Sequence, residues 1–168
     1  MNRHISYLKY VIRHKWFVLV ARRYVGCSMW RALVHDFSKF LPSEWFPYAE
    51  AFYLPNGQSR YQESEAFNVA WNNHQKRNKH HWQYWLITWD RGETEPLEMP
   101  HDFTREMVAD WMGAGRAING RWEVREWYNK NKDKIKLHPI TREWVLTFIF
   151  QAEETRKGRT PGRFRLRP

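Results

Sequence analysis

Cysteine is nearly absent from this 168-residue chain, and there is neither a long apolar run nor a stretch of apolar and polar residues in strict alternation. A lone thiol, Cys27, excludes an internal disulfide framework and fits a reducing compartment. The longest early apolar run, Trp16 to Ala21, is closed by Arg22 and Arg23. It falls far short of the roughly 20 residues that span a bilayer, and no small-residue cleavage site follows it. A cytoplasmic protein without a membrane partner is expected. Phosphate loops of the Walker type are missing, and "GAGRAING" (113–120) follows no predicted strand, so the common nucleotide-binding loops are excluded. Cys27 has no activating neighbour that would make it a nucleophile.

What the chain has is apolar residues at helical spacing almost throughout, which predicts an all-α fold built as a single helical bundle. The first helix is expected over 5–24, burying Tyr7, Leu8, Val11, Ile12, Phe17, Val18 and Ala21 and ending at Gly26. A second is expected over 28–38. A third follows Ser43 as N-cap, with Pro47 in its first turn, and a fourth spans 62–77. A short fifth covers "HHWQYWLI", and the acid-rich segment "TWDRGETEPLEMP" reads as loop. Asp102 is the expected cap of a helix through "FTREMVADWMGAGRAI". Further helices are expected over 121–131 and after Pro139. The tryptophans at helical spacing (Trp16, Trp30, Trp45, Trp71, Trp111, Trp127 and Trp144) read as core rather than as base-stacking platforms.

The net charge of +10 is uneven: "RKGRTPGRFRLRP" (156–168) carries six basic residues and no acid, which leaves about +4 for residues 1–155. One domain over 1–155 with a basic, disordered tail is the expected organisation. The tail reads as a solubilising end, with nonspecific nucleic-acid binding as the alternative.

The chemistry gathers around "LVHDFSKF". Eight His and five Asp in this length give only about 0.24 His-Asp pairs by chance, and the pair at 35–36 has company. His14 lies 21 residues earlier, on a helix whose short Gly-containing turn can return the chain toward His35. Asp110 interrupts the apolar run "MVADWM", where a buried carboxylate needs a cation as partner: Arg116 or a metal. In "NNHQKRNKHH", His74 near one helix end and His80 with His81 at the next can aim imidazoles at one point. Mixed imidazole and carboxylate donors suit one or two divalent transition ions: Fe, Mn, Co, Ni or Zn.

The order His14, His35-Asp36, Asp110 in an all-α chain resembles the HD-domain superfamily of metal-dependent phosphohydrolases. The resemblance covers about residues 14–110. It implies one metal on His14, His35, Asp36 and Asp110, a second on Asp36, His74 and His80 or His81, and an Asp36 bridge. His4 is a rival to His14 as first ligand. "HDFSK" is similar to that superfamily's His-Asp-x-x-Lys pattern, which implies a phosphate-contacting or network role for Lys39. The wider text, including "SEWFPYA" and "MVADWMGAGRA", also resembles an uncharacterised family of phages and bacteria, which brings no activity with it.

The implied reaction is attack on a phosphate ester by a metal-activated hydroxide, with Asp36 and Lys39 catalytic. The substrate is expected to be a nucleotide or another phosphate-containing small molecule. Lys76 and Arg77 beside the second cluster, and Arg116 (with Arg105) on the Asp110 helix, are candidate substrate contacts. Two alternatives stand beside it: a di-iron oxygenase, which some relatives with the same ligand order resemble, and a non-enzymatic basic protein that binds nucleic acid or a host protein.

Overall fold

The structure, a computed structural model, describes residues 2–158. The expected tail from residue 159 onward lies outside the described residues. Among those described, helices dominate: α1 (Arg3–Val25), α2 (Met29–Val34), α3 (Pro42–Phe52), α4 (Glu65–Arg77), α5 (His101–Asn119), α6 (Val124–Asn131) and α7 (Pro139–Arg156). None of them is long and apolar enough to cross a membrane.

Local chemistry explains most boundaries. Asn2 accepts from the His4 N–H at the start of α1, and Gly26 ends that helix in the left-handed region with its N–H on the Arg22 carbonyl. Ser28 and Ser64 cap α2 and α4. Ser43 is not a cap, because α3 begins one residue earlier with Pro42 in its first turn, which places Pro47 in the second. Likewise α5 begins at His101 after Pro100, so Asp102 sits inside the first turn, where its charge suits the helix dipole. The segment expected as a fifth helix is a 3-10 turn (Trp82–Trp85) running into a strand. That strand, β1 (Leu86–Thr88), pairs antiparallel with β2 (Thr94–Pro96), Ile87 opposite Glu95, inside what reads as loop. Three residues per strand are too few for alternation to register.

The apolar residues form two clusters that share α1. One gathers Val18, Ala21 and Val25 with α5, α6 and α7. The other joins Tyr7 and Val11 to Tyr48 and Ala49 of α3 and to Phe67 and Ala70 of α4. His14 lies between Val11 and Val18, so it sits where the two cores meet. The buried stripe of α1 therefore runs Tyr7, Val11, His14, Val18, Ala21, Val25, while Leu8 and Ile12, expected inside, are exposed. Trp16, Trp30 and Trp127 are also exposed, contrary to a core role, whereas Trp45, Trp71, Trp111 and Trp144 are partly buried against the cores. Cys27 is buried, and that burial pushes its thiol up to about 11, so it is inert.

α1 and α5 approach closely because Gly113 has no side chain. A Cβ there would stand 2.5 Å from Cγ2 and 2.8 Å from the backbone nitrogen of Val18. Helix propensity alone favours Gly113→Ala by up to about 1 kcal/mol. Overpacking against a neighbouring backbone costs about 1–3 kcal/mol and outweighs it. Thermal denaturation is expected to show Gly113→Ala melting several degrees below the natural protein. An unchanged or higher Tm would mean that α1 and α5 can separate at no cost.

Candidate metal centre

The His35-Asp36 dyad marks a break in the helices rather than the middle of one. α2 stops at Val34, His35 turns out of the helix, and Asp36 adopts φ 54°, the sole non-glycine positive φ among the described residues. A 3-10 turn (Phe37–Phe40) then takes over, in place of the expected continuous helix to 38. A left-handed backbone costs most residues about 1–2 kcal/mol, and Asp tolerates it better than most. The sharp bend turns both side chains inward, where His35 and Asp36 are each 1 % exposed.

Around Asp36 stand two groups of donors. On one side, its Oδ2 lies 3.3 Å from His14 Nε2 and 3.5 Å from His35 Nε2. Asp110 Oδ1 is 3.2 Å and 3.3 Å from the same two nitrogens, which are themselves 3.3 Å apart. On the other side, Asp36 Oδ1 lies 3.3 Å from His74 Nε2 and 3.3 Å from His80 Nε2, with His81 completing the group. Ligands about 2.1 Å from an ion stand roughly 3.0 Å apart at octahedral and 3.4 Å apart at tetrahedral corners, so these spacings are compatible with a bound metal ion. Chain-internal bonds leave these atoms unsatisfied: Asp36 Oδ1 and the Nε2 atoms of His74, His80 and His81 are buried and find no hydrogen-bond partner among the described residues. Buried polar atoms are rarely left so, and four converging on one point fit a cation. These residues could therefore hold a metal ion.

Carboxylates behind the imidazoles hold them in place. Glu106 Oε1 is 3.2 Å from Nδ1 of both His35 and His80, one ligand from each group. Glu44, fully buried, is 2.7 Å from His74 Nδ1, and accepts from Ser38 Oγ at 2.9 Å and from Arg77 at 2.7 Å. Binding Nδ1–H to a carboxylate fixes the tautomer that leaves Nε2 free to bind a metal. Burial opposes ionisation of Glu106, yet the hydrogen bonds from His35 and His80 hold its carboxyl down at about 2. Burial likewise disfavours charge on His35, but Asp36, Asp110 and Glu106 outweigh it and lift its pKa to about 9. Asp36 and Asp110 stay well below the usual carboxylate range, since the cationic partners of each overcome the penalty of burial. Burial, reinforced by His80 and His74, pushes His81 well below the usual histidine range, into the neutral form that ligates metals. Losing a carboxylate behind a ligating histidine typically costs 10–100-fold in metal affinity. Glu106→Gln is expected to weaken binding by that factor in titration calorimetry, and affinity equal to that of the natural protein would remove Glu106 from the centre.

Of the residues proposed from sequence, His14, His35, Asp36, His74, His80, His81 and Asp110 come together. His4 does not: its Nδ1 accepts from the Trp45 indole and its ring packs on Phe46. Lys39 is buried with Nζ 2.6 Å from Asp36 Oδ2, a member of the network. A cleft of about 410 Å³ opens onto His35, His80 and Glu106, and its cations are Arg31, Arg77 and Lys79. Lys76 is exposed and does not line it. Arg116 is a correction: its guanidinium donates to the Gly120 carbonyl and lies over Phe17 and Trp122, so it neither pairs with Asp110 nor reaches the cleft. Arg105 is likewise engaged elsewhere, on the Val25 carbonyl and over Phe148. Glu44, Glu106, Arg31 and Lys79 were not singled out from sequence. For Glu106 a signal existed, since it lies one helical turn before Asp110 on the same face of α5.

No curated protein and no solved structure matches the chain. A family of unknown function, DUF5662, is matched over residues 3–151, a span that takes in every residue of the metal centre, and the chain belongs to that family.

Proposed function

We propose that the protein is a metal-dependent phosphohydrolase acting on a nucleotide or another phosphate ester. The observation that carries this reading is Asp36, whose two carboxylate oxygens each face a separate group of buried imidazoles. Such a carboxylate can set the spacing of two ions. When bound, divalent transition ions polarise phosphoryl oxygens and activate water at neutral pH.

The protein's own groups supply binding and orientation. Glu106 and Glu44 hold the ligating imidazoles in one tautomer, as their contacts to Nδ1 require. Lys39 offsets charge on Asp36 through Oδ2, the oxygen that faces His14 and His35. At the mouth of the cleft, Arg31, Arg77 and Lys79 give an anion three cations to approach. Charge that develops on phosphoryl oxygens during transfer is stabilised by donors fixed in this way. Trp30, 72 % exposed on the rim, offers a flat apolar surface on which a base can stack, which favours a nucleotide within the phosphate-ester class.

Elemental analysis of protein purified without chelator or affinity metal, followed by a panel of phosphomonoesters, nucleotides and phosphodiesters, tests the reading. Two equivalents of a transition metal and hydrolysis that EDTA and His35→Ala both abolish are expected. Metal-free protein, or hydrolysis indifferent to both, sinks it. An imidazole-rich donor set also suits iron. Oxygen uptake by the iron-loaded protein, without hydrolysis, would replace this reading with a di-iron oxygenase.

A further inference from the structure

We infer that the outer face of α1, together with the adjoining 3-10 turn and the start of α3, is the surface through which two copies of this chain pair. α1 is apolar on two sides. Its inner stripe fills the cores, while Ile5, Leu8, Ile12 and Trp16, spaced about one turn apart, face outward and are exposed. Beside them lie Leu33, Phe37, Phe40, Leu41 and Phe46, also exposed, with Phe37 at 67 %.

Contacts along the seam make these one surface. His4 of α1 packs against Phe46 and Trp45, Phe40 stacks on Trp45, and Phe37 meets Phe40. Farther along α1, Lys15 donates to the carbonyls of Leu33 and His35, which ties the same edge of the helix to α2 and the dyad.

The size of the surface matches what a dimer requires. Four aromatic side chains at roughly 200 Å² each when fully exposed and five aliphatic ones at roughly 120 Å², all about half exposed, offer on the order of 700 Å² of apolar area. A monomer's largest apolar patch is typically about 300–600 Å². A standard stable interface buries about 800 Å² per partner. The relief is also mixed, since a hollow of about 330 Å³ lined by Phe40, Pro42, Trp45 and Phe46 lies beside the exposed Phe37 ring, which contacts Phe40. A two-fold contact needs such self-complementarity.

The flanking charges argue for a second copy over an anionic lipid surface. A lipid surface is held by apolar residues flanked by cations available to headgroups. Here Arg3 pairs with Glu50, Arg13 donates to the Ala117 carbonyl, and Lys15 is taken up by Leu33 and His35. Lys9 is engaged as well. Apart from Arg23, exposed two turns beyond Trp16 on the same side of α1, what the face presents is apolar surface, and its best complement is the same surface on another copy.

Sedimentation velocity on the full chain at micromolar concentrations tests this directly. A species of twice the 20.7 kDa chain mass is expected. Ile12→Glu and, separately, Phe37→Ser should each weaken the dimer by at least about a hundredfold in Kd with unchanged circular dichroism. The two sit on different elements, so misfolding of one leaves the other informative. A natural chain that sediments as a monomer overturns the inference, as does a dimer indifferent to both folded variants. A monomer that pellets with phosphatidylserine vesicles, and ceases to in Ile12→Glu, overturns it in favour of a lipid surface.

Discussion

Asp36→Asn is expected to lower bound metal from the proposed two ions per chain to one or none, and to reduce the proposed hydrolysis by about a thousandfold or more. The reasoning is stereochemical. Asp36 gives one oxygen to each donor group, whereas an amide has one oxygen and turns its NH₂ toward the other group. Losing about 4 kcal/mol of transition-state stabilisation corresponds to that factor in rate, and several kcal/mol is what one Lewis-acid ion contributes. Asparagine is the better test than alanine because it tolerates the left-handed backbone at position 36. Both replacements remove the charge that partners the buried Lys39 ammonium 2.6 Å away, at a cost of about 3–5 kcal/mol for a broken buried pair, but alanine removes the oxygen acceptor as well. Asp36→Ala/Lys39→Met removes both charges together and is expected to fold while binding no metal. By contrast Asp110→Ala should lose only the ion held with His14 and His35 and retain that on His74, His80 and His81. Full metal content in Asp36→Asn would refute the shared-carboxylate arrangement, whatever the effect on turnover.

Removing the metal is expected to lower the Tm by about 10–20 °C. An ion that binds the native state at a hundredfold its Kd adds about 2.7 kcal/mol, so two add about 5 kcal/mol. For a chain of this length, each kcal/mol moves Tm by about 2–4 °C. The direction follows from where the ligands lie. They come from α1, the α2 break, α4, the segment after it, and α5, so unfolding would scatter them and release a bound ion. Scanning calorimetry of protein as purified, after chelation, and after readdition of Mn, Co or Zn would show the loss and its recovery. A Tm unmoved by chelation would mean that the imidazoles are satisfied without an ion.

Much of the centre was legible in the sequence because its donors are residue types that seldom occur buried without a partner. Asp110 in an apolar run and His-Asp at a helix end signal burial of charge, and burial of charge signals a cation. His74, His80 and His81 were legible as a group, though choosing between the last two from spacing was not possible: both bring a ring nitrogen to the same donor group. The supporting shell was harder to see. Glu44 and Arg31 look like ordinary helix-surface charges in sequence, and only the packing of α3 on α4 and of α2 beside α5 reveals what they face. The same limit hid the exposure of Ile12 and Trp16. Periodicity shows that a helix has apolar residues, but a helix apolar on two sides gives no sign of which one the protein covers. Arg116 was misplaced because it shares a helix with Asp110, and the Gly120 carbonyl at the helix end claimed it first.

The missing side chain at Gly113 has a meaning beyond stability. His14 and Asp110 approach to 3.2 Å because α1 and α5 do, one turn from the Gly113–Val18 contact. Any residue larger than glycine there would part the two helices and with them two of the donors, so position 113 governs the geometry of the centre from outside it.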